Sequence, residues 1–172
     1  MNSHTAQQGS VLIVSMLILL VLTLIGVTAM GTSALEEKMA GNSSDQNQAF
    51  QAAEATMRDA ENFMTGVVAT GAFNNTNGLY ALGTAPDIML ASTWNSTNSS
   101  AYSGTLPGTA TPPRYIIELQ PALPGDNTGA EIIGSYGASL APELNIFRIT
   151  TRATGGSDNA VIMLQTYYGK YL

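Results

Sequence analysis

Residues able to carry chemistry are scarce in this 172-residue chain, which has no cysteine and a single histidine, His4. Without thiols there are no disulfides, thiolate metal sites or cysteine nucleophiles. One histidine near the N-terminus leaves no histidine triad and no histidine-rich metal site for the rest of the chain. Carboxylates remain. Glu118, Asp126, Glu131 and Glu143 lie in the C-terminal third. Two of them could make an acid–base pair for hydrolysis, or Asp126, Asn127 and Glu131 a calcium loop. Their spacing is not that of an EF-hand, and they read as solvated loop charges. Tyr167, Tyr168 and Tyr171 read as sheet packing and an edge contact rather than a ligand stack. No glycine-rich phosphate loop, lysine nucleophile site or GxSxG turn is present. No catalytic, cofactor or metal residue is therefore assigned, and the chain reads as a non-enzyme whose chemistry is association.

The elements bear this out. Ser10 to Leu35 is a run of 26 residues without a charge, behind a short polar leader, MNSHTAQQG. About 20 apolar residues suffice to cross a bilayer. The run is longer than the core of a secretory signal, and no A-x-A cleavage site follows it. On apolarity alone, a plain uncleaved anchor competes with any more specialised arm. All charges lie from Glu36 onward and sum to −6. The six basic residues are scattered, so neither a nucleic-acid footprint nor a polybasic lipid-binding patch exists.

Helix is expected to continue past the apolar run. Phe50, Ala53, Met57, Ala60, Met64 and Val67 recur at spacings of three and four, the stripe of an amphipathic helix on a core. Glu54 and Arg58 add an i,i+4 pair. Gly41-Asn42-Ser43-Ser44 are poor helix formers, predicting a bend, a loosening or a cost absorbed by packing. A helix from about Ser10 to about Val68 would be roughly 85–90 Å long. Its first half must protrude, into lipid or other subunits. Residues 65–113 are rich in Asn, Ser, Thr and Gly with Asp87 as their one charge, and read as an irregular exposed connection. Tyr80, Leu82, Ile88, Met89, Leu90 and Trp94 give it apolar handholds. The N-x-S/T matches at Asn42, Asn74, Asn95 and Asn98 are of the kind such a composition produces by chance.

The last third turns to strand. RYIIELQ (114–120) places Tyr115, Ile117 and Leu119 opposite Arg114 and Glu118, and NIFRITTRA (145–153) places Phe147 and Ile149 opposite Arg148 and Arg152. Gly155-Gly156-Ser157-Asp158 joins it to AVIMLQTYYGKYL as a hairpin. A short extra strand is expected at Glu131–Ile133. The fold expected is α+β: one long helix, apolar then amphipathic, packed on a C-terminal antiparallel meander of three to four strands. The divisions are 1–9, 10–35, 36–68, 69–113 and 114–172.

QQGSVLIVSMLILLVLTLIGVTAMGTSALEEKMAGNSSDQNQAFQAAEATMRDAE resembles the N-terminal region of PilX-type minor pilins of the type IV pilus, and FRITTRATGGSDNAVIMLQTYY resembles their C-terminal strand pair. The resemblance rests on those two stretches and not on residues 65–113. The resemblance implies a type IV pilin-like fold and a leader cut by the prepilin peptidase after Gly9. It further implies N-methylation of Ser10, and residence in the inner membrane with the soluble part in the periplasm. Extraction into a fibre of bundled apolar helices would follow. The implied partners are other minor pilins, the major pilin and a large tip adhesin, with a role in priming assembly at the tip, and so in twitching and adhesion.

Three positions depart from the usual pattern. Ser10 stands where pilins usually have Phe or Met, Gln8 precedes Gly9 in a leader without Lys or Arg, and Val14 occupies the place usually held by Glu. In the family that carboxylate is thought to pair with a neighbour's N-terminal amine. A subunit lacking it avoids burying a lone charge but cannot offer the pair, which suits the end of a filament. The tip pseudopilin of type II secretion shares this absence and stays an alternative, although its relatives often carry an inserted domain for which this chain has no room. A membrane-anchored periplasmic binding domain is the alternative of another class.

Overall fold

Helix α1 runs from Ser10 to Gly66 in the computed structural model, which describes residues 10–121 and 144–172. No proline interrupts it, and the weak stretch Gly41–Ser44 stays helical. Contacts divide the chain into one unit up to Ser43 and another from Ser44 to Leu172. In the first, the apolar side chains are exposed among the described residues: Val11, Leu12, Met16, Leu24, Val27 and Met30 are all more than two-thirds exposed.

In the second unit the helix buries Ala49, Ala52, Ala53, Thr56, Met57, Ala60 and Met64. Phe50 departs from the expected stripe, since its side chain is 46% exposed. The buried arc is turned toward Ala49, Ala52 and Thr56, whose small side chains let the helix approach the sheet closely. At about 100° per residue that rotation carries Phe50 to the arc's edge.

The sheet has β1 (Leu79–Tyr80), β2 (Ser100–Ala101), β3 (Arg114–Gln120), β4 (Leu144–Thr154) and β5 (Val161–Tyr171). β3, β4 and β5 are antiparallel neighbours, with Ile117 opposite Ile149 and Arg148 opposite Tyr167. β-branched and aromatic side chains fill these strands and favour the pleated conformation. The loop region, expected to be irregular, adds both short strands to the far edge of β3: β2 antiparallel, β1 parallel. The sheet is thus mixed rather than a pure meander. The strand expected at Glu131–Ile133 lies outside the described residues, as do Gly9 and His4.

Two layers of core result. Met57, Ala60 and Met64 pack with Phe73, Tyr115, Ile117, Phe147 and Ile149 between helix and sheet. On the opposite face, Tyr80, Trp94 and Ile116 form a second cluster, joined by Ala85 and Ile88. β3 is therefore buried on both faces, because the 79–99 segment covers the face its alternation assigns to solvent. Leu82, Met89 and Leu90 stay mainly exposed.

Phe147 is fully buried and stacks on Phe73 with ring centroids 4.8 Å apart. Phe147→Ala should lower the unfolding free energy by about 3–5 kcal/mol. Urea unfolding of the detergent-held protein, followed by the fluorescence of buried Trp94, checks this. A loss below about 1 kcal/mol would contradict the packing described.

Candidate functional site

The apolar arm begins the site. An 18-residue window of α1 has a mean hydropathy of 2.9 and, among the described residues, none of it is buried. Five of its hydroxyls turn back onto the helix. Ser15 donates to the Leu12 carbonyl, Thr23 to Leu20, Thr28 to Leu24, Thr32 to Thr28 and Ser33 to Ala29. These five hydroxyls are thus satisfied within the helix, as hydrocarbon surroundings require. Val14 is half-exposed on this surface, and Ser10, the first described residue, is already helical.

Side-chain clasps hold the other half of the helix to the sheet. Near its start, the Asp45 carboxylate accepts from the Ser157 backbone N–H at 3.2 Å and from the Ser157 hydroxyl. The Ser157 hydroxyl is the main reason the Asp45 carboxyl is held below its ordinary value of 3.8. Gly155 makes this approach possible. A Cβ there would lie 2.1 Å from Asp45 Oδ1 and 2.4 Å from its backbone oxygen. Midway, Thr151 donates its hydroxyl to the Ala53 carbonyl, and Asp59 accepts from the Ser103 N–H at 2.9 Å. At the C-terminal end, Lys170 Nζ donates to the carbonyls of Met64 and Thr65 at 2.8 Å and of Val67 at 2.6 Å. A cation there satisfies orphan carbonyls and meets the negative end of the helix dipole.

Glu118 is not the solvated charge its setting suggests. It is 5% exposed and ion-paired with Arg148. It also accepts from the backbone N–H groups of Gly83 at 3.1 Å and Ala85 at 3.4 Å. Those bonds anchor the 79–99 segment on the sheet, a structural duty. Asp126, Glu131 and Glu143 lie outside the described residues. Among the described residues, no three acidic or histidine side chains come together as a metal site. Tyr167 and Tyr171 are exposed, whereas Tyr168 packs against the helix–sheet core. Ala53, Met57, Ala60 and Met64 are buried there too.

Sequence reasoning missed Asp45, Lys170 and the pin at Glu118. Each joins groups far apart along the chain, and no local spacing announces such a pair. The glycines before Ser157 were legible only as a turn.

Residues 8–58 match the family PilX N-terminal, and residues 42–170 match the family type IV pilus assembly protein PilX, C-terminal. Together they cover nearly the whole chain, the polar 69–113 stretch included. No curated protein and no solved structure matches it.

Gly155→Ala should cost about 1–3 kcal/mol, because its methyl group must displace either the hairpin or the helix backbone; an unchanged melting temperature would refute the clasp. The Asp45 bond has a definite pH window. A folded value below the unfolded one stabilises above pH 3.8 and is lost as the pH falls through the folded value. The melting-temperature gap between wild type and Asp45→Asn should be full at pH 7 and shrink below pH 3.8. A gap that widens on acidification would reverse the assignment.

Proposed function

The chain belongs to the PilX family of type IV pilus assembly proteins, and from that we propose that it is a minor pilin placed at or near the pilus tip, where it primes assembly. The observation that carries the reading is the arm: a helical run that is charge-free from Ser10 to Leu35, exposed among the described residues and with Val14 in the place usually held by Glu. In lipid such an arm is a membrane anchor. In a fibre it buries the same side chains against neighbouring pilins, so one surface serves both states.

The steps follow from that surface. The leader lies on the cytoplasmic side of the inner membrane and the sheet domain in the periplasm. The prepilin peptidase cuts between Gly9 and Ser10, and the new amine of Ser10 is methylated. Removal of the leader frees the polar end that would otherwise have to be dragged through the apolar bundle. Association with other minor pilins and the major pilin then replaces lipid contacts. A subunit without a buried carboxylate at position 14 needs no amine from a subunit above it, which supports an end position. The sheet domain stands ready to meet a large adhesin and so to support twitching and attachment. No catalytic step is assigned to the chain.

Mass spectrometry of the protein from its native envelope should find an N-terminus at methylated Ser10. An intact Gly9–Ser10 bond would sink the proposal. Gly9→Val should leave nearly all of the protein unprocessed in the membrane and abolish its presence in sheared pili. Deletion should impair twitching and spare secretion; the opposite pattern would favour the pseudopilin of type II secretion.

A further inference from the structure

Four poor helix formers in a row, Gly41-Asn42-Ser43-Ser44, lie within α1. Their composition leaves three outcomes open: a bend, a loosening, or a cost absorbed by packing. No break is built into the helix, since all four residues are helical. Packing does not absorb the cost either. Among the described residues all four side chains are exposed, and a Cβ at Gly41 would find nothing within 4 Å beyond the helix backbone.

The usual side-chain supports are missing there too. Ser15, Thr23, Thr28, Thr32 and Ser33 turn their hydroxyls back onto helix carbonyls. Among the described residues Ser43 and Ser44 make no such bond. The helix's ion pair, Glu54–Arg58, lies further along, and Gly41 to Ser44 carry no charge to make another. Upstream, the charge-free run stops at Leu35, so a bilayer that covers the arm leaves residues 36–44 in water. Downstream, the sheet takes hold of the helix at Asp45, through the Ser157 N–H and hydroxyl. The contacts of the chain divide at the same place, between Ser43 and Ser44. Residues 36–44 thus rest on helix propensity alone. Glu36 to Ala40 are good helix formers, which leaves Gly41–Ser44 as the weakest link.

The same residues carry the signals with which helices end and begin. Glycine is favoured just past a helix C-terminus, because it takes the left-handed conformation without a steric cost. Ser43, followed three residues later by Gln46, has the spacing of a capping box. In that box the serine oxygen accepts from the Gln46 N–H and the glutamine side chain from the Ser43 N–H. Asp45 would then stand in the first turn of a new helix, where its charge meets the positive end of the dipole. In the continuous α1 it lies far from either end and gains nothing from that dipole. Opening at this stretch therefore replaces part of the helix hydrogen bonding that it gives up.

We propose that Gly41–Ser44 is a joint: α1 opens there into two separately capped helices and recloses, while Asp45 and the residues after it keep their hold on the sheet. The joint lets the arm exchange lipid for neighbouring subunits without disturbing the packed half of the helix. That use rests on the pilin reading, whereas the joint itself does not.

The test uses the full chain in detergent. The amides of Asn42 to Asp45 should exchange at least about tenfold faster than those of Leu20 to Ile25 and of Ala53 to Ala60. Spin labels at Glu37 and Gln51 should show a spread of distances, where a continuous helix holds one, with a rise of about 21 Å between the two backbones. Gly41→Ala, Asn42→Ala, Ser43→Ala and Ser44→Ala combined should slow the joint amides by about tenfold to a hundredfold and narrow the spread to one distance. The melting temperature of the sheet domain should stay unchanged, and recovery of the variant in sheared pili should fall about tenfold. Exchange at Asn42 to Asp45 as slow as in the flanking helix, or one narrow distance in the unaltered chain, would overturn the joint. Undiminished recovery of the alanine variant, cut normally at Gly9–Ser10, would overturn its use in assembly. An uncut Gly9–Ser10 bond, with fast exchange at Asn42 to Asp45, would remove the pilin reading and leave the joint standing.

Discussion

Twenty-six consecutive residues without a charge, in the half of a helix that stays exposed among the described residues, govern the rest of this molecule. Exposed apolar surface is unfavourable in water at about 25 cal/mol per Å². The arm must therefore always be covered by something outside the chain. A bilayer and a bundle of like helices are the two environments that satisfy it without new polar partners. Ser15, Thr23, Thr28, Thr32 and Ser33 already donate to carbonyls of their own helix, which lowers the usual polar obstacle to either.

The remainder of the chain fixes the amphipathic half of the helix to the sheet. Tight packing of alanines against β4 provides contact area, and side-chain clasps provide position. Asp45 at the hairpin and Lys170 at the helix terminus fasten the two ends of the packed segment. Both use the charged group as an anchor for backbone or hydroxyl partners rather than in a surface ion pair, which contributes little when exposed. The pair Glu54–Arg58, visible from its spacing, is such a surface pair and adds only modest helix support.

The loop region illustrates how composition misleads. Its Asn, Ser, Thr and Gly content describes a backbone rich in turns, and the turns are there: Asn75, Asn77 and Gly78 have positive φ. Turn content does not say what the turns enclose. Tyr80 and Trp94 return to the sheet and seal the outer face of β3, and Glu118, in a strand whose alternation makes it a solvent position, becomes their buried anchor. Alternation reports which residues share a face. It does not report whether a distant segment will cover that face.

The sequence by itself determined the long helix, its division into apolar and amphipathic parts, the three principal strands and their hairpin. These depend on local periodicity, since 3.6-residue and two-residue repeats are properties of contiguous chain. The resemblance to PilX proteins was legible in the same way, as contiguous text. Only the tertiary structure decided the rotation of the helix that turns Ala49 inward and Phe50 outward, the parallel β1 contact, the burial of Glu118 and the inward draw of Lys170. Each depends on two segments meeting across roughly thirty to more than a hundred residues of intervening chain. Such meetings are fixed by which arrangement of the whole fills space and satisfies every buried polar group, and no local repeat encodes that choice.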